Sequence, residues 1–443
     1  MKTFKIGGVH PEENKLASKS AIEVLPLPQK VCIPIVQHLG APSTLVVEKG
    51  ATVKAGQLLA KADAFICANV HSSVSGKITK IDSVTDTSGY RKTSVFIDVE
   101  GDEWEESIDK SDTIIKEIKL SKEEIIAKIK DMGIVGLGGA TFPTHVKLMV
   151  PQGKKADVLI INGVECEPYL TSDHRVMLEK AEEMLIGVSI LMKGLGVDKA
   201  MIGIENNKAD AISHLQSLLS GFKGIEVHAL KVKYPQGAEK QLIKALINRE
   251  VPAGKLPIEV GCVVSNAGTA FAVYEAVQKN KPLFERVVTV TGKSVKKPSN
   301  FMVRLGVAVN ELIEKAGGLP EDTGKVISGG PMMGKALNSL EVPVVKGTSG
   351  ILIMTQKESK RVEIQNCIRC GKCITVCPMG LEPYLLAQVA ENGNFETAEN
   401  ERVMDCIECG SCHYTCPSGR PLLDYLRVGK NKVGQIIRNR ANN

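Results

Sequence analysis

Eight of the twelve cysteines lie in two short runs near the carboxyl end of this 443-residue chain. The runs read CIRCGKCITVCP over 367–378 and CIECGSCHYTCP over 406–417. Both match the C-x2-C-x2-C-x3-C-P spacing that holds [4Fe-4S] clusters in two-cluster ferredoxins. The predicted iron ligands are Cys367, Cys370, Cys373, Cys377, Cys406, Cys409, Cys412 and Cys416.

The fourth cysteine of each run is displaced, so we expect it to bind the cluster of the other run. One cluster would take Cys367, Cys370, Cys373 and Cys416, and the other Cys406, Cys409, Cys412 and Cys377. This crossing would bring the clusters close enough for one-electron transfer, while Gly371 and Gly410 keep side chains away from them. Zinc also favours C-x2-C pairs, but it takes four ligands as two separated pairs and not as two runs of four.

A glycine-rich stretch, GLGGATFPTHVK over 136–147, is a candidate for binding a phosphate or a flavin. Gly136, Gly138 and Gly139 would allow close approach to the backbone, and Lys147 could neutralise negative charge. The segment INGVECEP over 161–168 follows and carries Glu165 and Glu167 near the end of a predicted strand. Each of these segments alone is also typical of an ordinary turn or a polar loop.

Composition excludes several classes of function. Aromatic residues make up 4% of the chain, which is poor material for stacking single-stranded nucleic acid. No apolar run approaches the ~18 residues of a membrane span, and the first residues lack the apolar core of a signal peptide. Twelve cysteines without an export signal favour a reducing compartment, so we expect a soluble or peripheral cytoplasmic protein.

Four zones position these candidates along the chain. Residues 30–100 alternate like strands and resemble the barrel-sandwich fold of lipoyl and biotinyl carriers, although the hairpin ADAFICANVH lacks the lysine those carriers modify. Residues 120–285 alternate predicted helices and strands, which is typical of an α/β domain. A capping box at Ser121 and Glu124 predicts the start of a helix that ends at Gly133, and another long helix is predicted over 177–193. Residues 286–345 suggest a small β-grasp module, and the helical pattern between the cysteine runs favours an α-helical ferredoxin.

The carboxyl end is basic. Five basic residues and no acid lie between Arg427 and Asn443. Such a segment is typical of a solvated, mobile end, or of one that leans on an acidic subunit or an anionic membrane face.

Together the motifs resemble a known family. GLGGATFPTHVK, INGVECEP, YPQGAEKQLIKAL (234–246) and VVSNAGTAFAVYEA (263–276) follow the order of the flavin subunit of respiratory NADH dehydrogenases. With GGVHPEENKLAS (7–18) and IPIVQHLGAP (33–42), essentially the whole chain resembles the C subunit of the Rnf electron-transport complex.

This resemblance implies a multidomain α/β architecture. It comprises an unmodified, lipoyl-like barrel-sandwich domain (1–110), a Rossmann-like FMN/NADH domain (115–285), a soluble-ligand-binding β-grasp domain (286–350), an α-helical domain with two [4Fe-4S] clusters (358–426) and a basic tail (427–443).

The resemblance also implies a site for non-covalent FMN with NAD(H) as substrate. Its residues would be Gly136, Gly138 and Gly139 beneath FMN, Lys147 at the phosphate or ribityl end, Phe142 near the nicotinamide, Asn162, Glu165 and Glu167 in the pocket, Tyr234, Gly237 and Glu239 beside the isoalloxazine, and Ser265 and Asn266 near the phosphate. The chain departs from the dehydrogenases at four positions, where Leu137 replaces an arginine, Thr141 a glycine, Val164 an aspartate and Ala238 a glutamate.

The implied activity is that of a peripheral, NADH-facing subunit of a ferredoxin:NAD oxidoreductase that translocates Na+ or H+. It would lie on the cytoplasmic face of the cell membrane beside integral-membrane and iron–sulfur subunits, with no nucleic-acid partner. No residue is assigned as a general acid or base. His145 and His174 are interpreted as structural or surface residues, and His413, inside the second cysteine run, is expected to tune a cluster and not to bind it. Two alternatives remain open at this point, namely a flavin-dependent cobalamin reductase of the same architecture and a non-catalytic iron–sulfur electron wire.

Overall fold

The amino-terminal quarter of the chain is β-rich. The computed structural model describes residues 1–86 and 89–442. The first eight strands are β1 (Ile22–Val24), β2 (Lys30–Pro34), β3 (Thr44–Leu45), β4 (Thr52–Val53), β5 (Leu58–Lys61), β6 (Val70–His71), β7 (Gly76–Thr85) and β8 (Arg91–Val99).

Two small sheets face each other in this region. β2, β8, β7 and β4 form one sheet, and β3, β5 and β6 form the other. The alternation along β8 buries Val95 and Ile97, which pack against Ile33, Leu59 and Ile78. Because β1 pairs in parallel with a strand of a later sheet, β1 itself lies outside this sandwich.

The next region is α/β. Its elements are α1 (Lys122–Asp131), α2 (Thr144–Leu148), β9 (Val158–Asn162), α3 (Ser172–Glu179), α4 (Ala181–Leu195), β10 (Ala200–Glu205), α5 (Ala209–Leu218), β11 (Ile225–Leu230), α6 (Glu239–Ile247), β12 (Cys262–Asn266) and α7 (Ala267–Gln278), with 3-10 turns at Leu219–Gly221 and Pro257–Val260. The four strands are all parallel, in the order β11-β10-β9-β12. The strands β9 and β10 are buried on both faces, as expected for a parallel sheet covered by helices.

The predicted capping box is present, since the Ser121 side chain accepts from the Glu124 N–H and the Glu124 carboxylate accepts from the Ser121 N–H. The single helix expected over 177–193 was wrong, because Lys180 leaves the helical conformation and separates α3 from α4. The break lets α3 contact β13 (Glu285–Thr291) while α4 packs along α7.

A six-stranded mixed sheet follows. After β13 come β14 (Ser299–Arg304), α8 (Val309–Lys315), β15 (Thr323–Ser328), β16 (Lys335–Ala336) and β17 (Gly350–Thr355). The strand order is β1-β14-β13-β17-β15-β16. Its buried residues Val288, Phe301 and Ile351 belong to the same apolar core as the barrel strands, so the two regions are packed together.

The cysteine-rich region contains only helices among its described residues. They are α9 (Gln356–Ser359), α10 (Lys372–Thr375), α11 (Pro383–Glu391), α12 (Phe395–Asn400), α13 (Ser411–Thr415) and α14 (Leu422–Asn442), with a 3-10 turn at Val403–Asp405. The helical pattern predicted between the cysteine runs is interrupted at Gly393, whose φ of +72° ends α11.

The expectation of a mobile basic tail was wrong. Residues 427–442 continue α14 as a helix that packs on α11 and α12. Val433 is fully buried there, and Arg440 forms an ion pair with Glu399 at 2.9 Å. Apolar packing on one face of α14 therefore orders residues 427–442, which their basic composition had predicted to be solvated.

Charged and aromatic side chains join three regions next to Trp104. Its ring lies edge-on to Phe284 with centroids 5.1 Å apart. The guanidinium of Arg304 lies 4.7 Å from the Trp104 ring centre and pairs with Glu285 at 3.1 Å. This junction ties the end of the β-rich region to β13 and β14.

Candidate functional site

The two cysteine runs adopt the same backbone conformation. Arg369 and Gly371 in the first run have φ of 55° and 73°, and Glu408 and Gly410 in the second have 55° and 77°. This alternation curls successive N–H groups toward one side, as in anion-binding nests. The Glu408 N–H accordingly points at the Cys406 sulfur, 3.4 Å away.

A cavity beside α14 brings together one cysteine of the first run and three of the second. Cys377, Cys406, Cys409 and Cys412 all line it, with apolar side chains between them. Burial raises the pKa of the Cys412 thiol, and it raises the pKa of Cys406 to about 11. Anionic sulfur is therefore unstable there without a cationic partner, which fits an iron–sulfur group held by four thiolates.

The remaining four cysteines are more open to solvent. Burial raises the pKa of the Cys373 thiol, and the charge of Cys416, the last cysteine of the second run, adds to that rise. Cys367 and Cys370 are exposed, whereas Cys409 and Cys412 are buried. The two groups therefore differ strongly in their access to solvent.

Basic side chains of α14 face the second run. The Lys430 ammonium donates to the Cys406 carbonyl at 2.6 Å and pairs with Glu408 at 3.1 Å. Arg427 also pairs with Glu408, at 3.4 Å. These two residues were predicted as part of a tail, and only the path of α14 shows their position beside a cluster-binding loop.

The parallel sheet places a second set of predicted residues at one edge. The strands β9 and β12 are neighbours in this sheet. From β9 the chain continues to β10 and β11 on one side of the sheet, whereas β12 lies on the other side of β9. The edge at which β9 and β12 end is therefore a topological switch point. Asn162 and Asn266 end these strands and are register partners. Asn162 donates to the Gly237 carbonyl at 2.8 Å, and Asn266 caps α7 by accepting from the Thr269 N–H at 3.1 Å.

The glycine-rich loop lies over this edge. A Cβ atom on Gly138 would fall 2.6 Å from the Asn266 side chain, whereas one on Gly139 would meet open space. Gly136 is not crowded either, with its nearest neighbour at 3.7 Å. Only Gly138 is therefore needed for packing within the protein, and Gly139 leaves the outer side of the loop free for a ligand. Thr141, expected at the position of a glycine in the dehydrogenases, has a φ of 54°, in the left-handed region that favours glycine.

Lys147 provides positive charge at the same edge. Its ammonium donates to the Val264 carbonyl, next to Ser265, at 3.0 Å, and it lies 3.5 Å from the Glu239 carboxylate. Its side chain is 30% exposed, so it can still face a ligand. Phe142, half-buried, shortly precedes the α2 turn that carries Lys147.

The two predicted acids point in different directions. The Glu165 carboxylate accepts from the backbone of Asp173 at 2.8 Å and of His174 at 3.1 Å, which caps α3. Glu167 is half-buried, and its carboxylate accepts from the Met332 and Met333 N–H groups at 2.9 and 2.7 Å. Burial raises the pKa of Glu167 to about 7.

Asp173 is a pocket residue that sequence reasoning missed. It accepts from the Asn266 amide at 2.6 Å, and burial raises its pKa to about 7. Arg286, also buried and unpredicted, donates to the Leu137 carbonyl at 3.3 Å. No motif signals either residue, because each acquires its role only when α3 and β13 pack behind the glycine-rich loop.

Tyr234 connects the predicted residues at the edge of the parallel sheet to the cysteine runs. It is 3% exposed, and its hydroxyl donates to the carbonyl of Cys409 at 2.8 Å. Tyr234 begins the turn that carries Gly237 and Glu239 at the sheet edge. One side chain thus spans from the candidate flavin edge to a predicted cluster ligand.

An amino-terminal strap, residues 2–20, reinforces this connection. The Gly8 N–H donates to the Val376 carbonyl at 2.8 Å, and Val9 forms a bridge with Tyr234. The buried Lys15 ammonium donates to three carbonyls, those of Glu165, Glu167 and Leu170, at 2.7–3.0 Å. The motif GGVHPEENKLAS is the sequence signal of this strap.

The three histidines considered earlier lie in different surroundings. His174 bonds Asp210 at 2.9 Å, and His145 is 2% exposed, so that burial lowers its pKa to about 4. Burial lowers the pKa of His413.

The fold and both sets of residues define a class of protein, namely an electron-transfer subunit that joins a flavin-binding domain to a two-cluster ferredoxin domain. Its segments match four families, described as the RnfC barrel sandwich hybrid domain (2–102), the Nuo51 FMN-binding domain (129–275), the SLBB domain (287–336) and the 4Fe-4S dicluster domain (359–417). FMN and iron–sulfur clusters are thus the cofactors of this protein.

Full-length relatives identify the particular family. The chain is 46% identical to the C subunit of the proton-translocating ferredoxin:NAD(+) oxidoreductase complex of Clostridium ljungdahlii, over 90% of this chain and 87% of that protein. It is 45% identical to the C subunit of the Na(+)-translocating ferredoxin:NAD(+) oxidoreductase complex of Acetobacterium woodii, over 97% of each chain. The chain belongs to the family of Rnf-complex C subunits.

A solved structure supports the fold. The chain resembles an NAD+-reducing [NiFe]-hydrogenase in its H2-reduced state with a TM-score of 0.50 and 17% identity, over 71% of this chain and 63% of that one. No described helix is both long and apolar enough to cross a membrane.

Proposed function

We propose that this protein passes electrons between NAD(H) and two [4Fe-4S] clusters by way of FMN, as the NADH-facing subunit of an ion-translocating ferredoxin:NAD oxidoreductase. The observation that best supports this path is the 2.8 Å hydrogen bond from the Tyr234 hydroxyl to the Cys409 carbonyl, because it joins the edge of the parallel sheet to a predicted cluster ligand. The side chain of Tyr234 therefore offers a direct packed connection between that edge and the loop that carries Cys409.

FMN, when bound, can exchange two electrons with nicotinamide and one at a time with a cluster. The chain supplies binding and orientation. Lys147 provides the cation for the phosphate or ribityl end, Ser265 and Asn266 provide polar groups at the switch point, and Gly139 leaves room over the loop. The full proposed set is Gly136, Gly138, Gly139, Phe142, Lys147, Asn162, Glu165, Glu167, Tyr234, Gly237, Glu239, Ser265 and Asn266.

The eight cysteines would hold the clusters in the crossed arrangement. The shared cavity of Cys377 with Cys406, Cys409 and Cys412 supports one set, and the electrostatic effect of Cys416 on Cys373 supports the other. The buried set lies against Tyr234, so it would be the first cluster reached from FMN. The exposed set would be the second.

We also propose the finer fold assignments. The 3-2-1-4 order of the parallel strands supports a Rossmann-like half over 115–285. The mixed sheet with α8 supports a β-grasp domain over 286–350, and the helices around the cysteines support an α-helical ferredoxin domain. As the resemblance to the Rnf electron-transport complex implies, the protein would lie at the cytoplasmic face beside integral-membrane and iron–sulfur subunits of the same complex.

The test is anaerobic mixing of cluster-reconstituted protein with NADH, followed by flavin and iron–sulfur absorbance. We expect bleaching of both, and FMN in the supernatant after denaturation. Lys147→Met should retain the clusters but lose FMN. Iron and sulfide with no flavin and no response to NADH would instead support the electron-wire alternative and refute the nicotinamide half of the proposal.

A further inference from the structure

The loop that follows β9 carries two predicted pocket acids in a rare backbone conformation. This acid loop, residues 163–170, contains Glu165 and Glu167. The φ of Glu165 is 44° and that of Tyr169 is 71°, both in the left-handed region that favours glycine. Such conformations cost free energy and persist only where surrounding contacts enforce them. The groups that make those contacts therefore help to shape the site.

The amino-terminal strap supplies several of these contacts. The Lys15 ammonium donates at 2.7–3.0 Å to three carbonyls of the acid loop, namely those of Glu165, Glu167 and Leu170. An ammonium has three N–H donors, so each of them has a partner on this loop. From the same strap, the Glu13 carbonyl accepts from the Tyr169 N–H at 2.9 Å. The strap thus bonds the backbone of the loop along most of its length.

A second buried lysine holds the beginning of the acid loop. Lys208 is 2% exposed and donates to the Val164 carbonyl at 2.8 Å. Its charge lies 3.7 Å from the carboxylate of Glu205, which is also buried. Lys208 therefore fixes where the loop leaves β9, whereas Lys15 bonds the backbone of the two acids themselves.

The backbone that Lys15 holds decides where the two carboxylates lie. The Glu165 carboxylate caps α3, and the Glu167 carboxylate accepts from the N–H groups of Met332 and Met333. These partners lie in different directions from acids that are two positions apart in the chain. A change in the loop conformation would consequently disturb both carboxylates together.

We propose that Lys15 is a positioning residue of the flavin and nicotinamide site, which keeps the acid loop in the conformation that directs Glu165 and Glu167. The inference deepens the proposed function, because it rests on NAD(H) and FMN meeting at this edge of the sheet. A displacement of about 1 Å can cost a reaction about 100-fold in rate. Lys147 and Gly139, which would face FMN, lie on other elements, so loss of Lys15 should slow the reaction more than it weakens FMN binding.

The first experiment is hydrogen–deuterium exchange of the full chain with its cofactors, before NADH is added. In Lys15→Met we expect exchange at Met332 and Met333 to be about tenfold faster, because local opening of the acid loop removes the carboxylate that their N–H groups bond. Exchange in the buried strand β10 should be unchanged, which separates a local effect from a general loss of stability.

Lys2→Met is the matched control. Lys2 belongs to the same strap and also donates to a carbonyl, that of Leu246 at 2.9 Å, which lies outside the acid loop. It should exchange like wild type at Met332 and Met333. Lys15→Gln keeps two N–H donors and should show smaller changes of the same kind as Lys15→Met, so it decides the question if Lys15→Met does not fold.

The second experiment is stopped-flow mixing of the same variants with saturating NADH. In Lys15→Met the FMN and iron contents should equal those of wild type, while the rate of flavin bleaching should fall by about 10–100-fold. Lys2→Met should bleach at the wild-type rate. A residue that only supports the fold would lower FMN content and β10 protection together and would leave the rate per bound FMN unchanged.

Three results would overturn the proposal. They are wild-type exchange at Met332 and Met333 in both Lys15 variants, a wild-type rate of flavin bleaching per bound FMN in both, and equal effects of Lys15→Met and Lys2→Met. A wild-type protein that does not respond to NADH would instead refute the nicotinamide half of the proposed function. The exchange experiment would still show whether Lys15 sets the acid loop, so the two failures can be distinguished.

Discussion

Gly7 is the position where the strap approaches the cluster domain most closely, and replacing it tests whether the strap sets the distance between flavin and cluster. Its φ is +69°, and an added Cβ would lie 2.5 Å from the Cys377 carbonyl carbon and 2.6 Å from the Val376 oxygen. Those neighbours are backbone atoms of a cluster-binding run, so they cannot rotate away. The overlap in Gly7→Ala must be relieved by moving either the strap or the cluster domain.

Gly153 provides a matched control. Its φ is +80°, and an added Cβ would have nothing within 4 Å. Both substitutions carry the cost of a left-handed alanine, about 1–2 kcal/mol. Gly7→Ala adds an overpacking cost of about 1–3 kcal/mol. The difference in free energy of unfolding between the two variants should therefore be about 1–3 kcal/mol.

The assay is stopped-flow mixing with NADH, which separates flavin bleaching from cluster bleaching. In Gly7→Ala we expect flavin bleaching at the wild-type rate and slower cluster bleaching, because only the distance between the domains changes. Gly153→Ala should match wild type in both phases. Identical cluster kinetics in the two variants would refute the idea that the strap positions the buried cluster.

Three further predictions follow from contacts described above. Cys377→Ser should lose the cluster of the second cysteine run, and Cys416→Ser should lose the cluster of the first. Iron analysis with electron paramagnetic resonance can distinguish the two losses. Loss of the same cluster in both variants would contradict the crossed arrangement of ligands. Lys430→Met should lower the reduction potential of the buried cluster by some tens of millivolts, where about 59 mV corresponds to a tenfold change for one electron. The reason is that the Lys430 ammonium, 2.6 Å from the Cys406 carbonyl, favours the reduced form of the cluster. An unchanged midpoint in a redox titration would count against this. Burial lowers the pKa of Lys346 to about 7 from 10.5. Between those pH values the unfolded chain binds more protons than the folded one, so the free energy of unfolding of the wild type should rise with pH. In a pH series of thermal unfolding, Lys346→Met should lack that part of the rise.

Local motifs could be predicted from the sequence because each depends on residues a few positions apart. The cysteine spacing, the Ser121–Glu124 capping box and the glycine-rich loop are of this kind. The parallel strands were also predictable, because buried strands alternate with amphipathic helices along the chain.

Contacts between distant segments could not be predicted in this way. Tyr234 lies 175 positions from Cys409, and no periodicity indicates that they meet. The break at Lys180 depends on α3 and α4 packing against different elements, and the order of α14 depends on the apolar surface it covers. Each of these features is decided by tertiary packing, which overrides local propensity.

The junction at Trp104 has a practical consequence. This residue is the only tryptophan in the chain, and its ring contacts Phe284, Lys110 and Arg304, which come from different regions. Its intrinsic fluorescence would therefore report on one place alone, without any label. Separation of the β-rich region from the sheet beside it could be followed optically while cofactors are loaded, even when absorbance is dominated by flavin and iron.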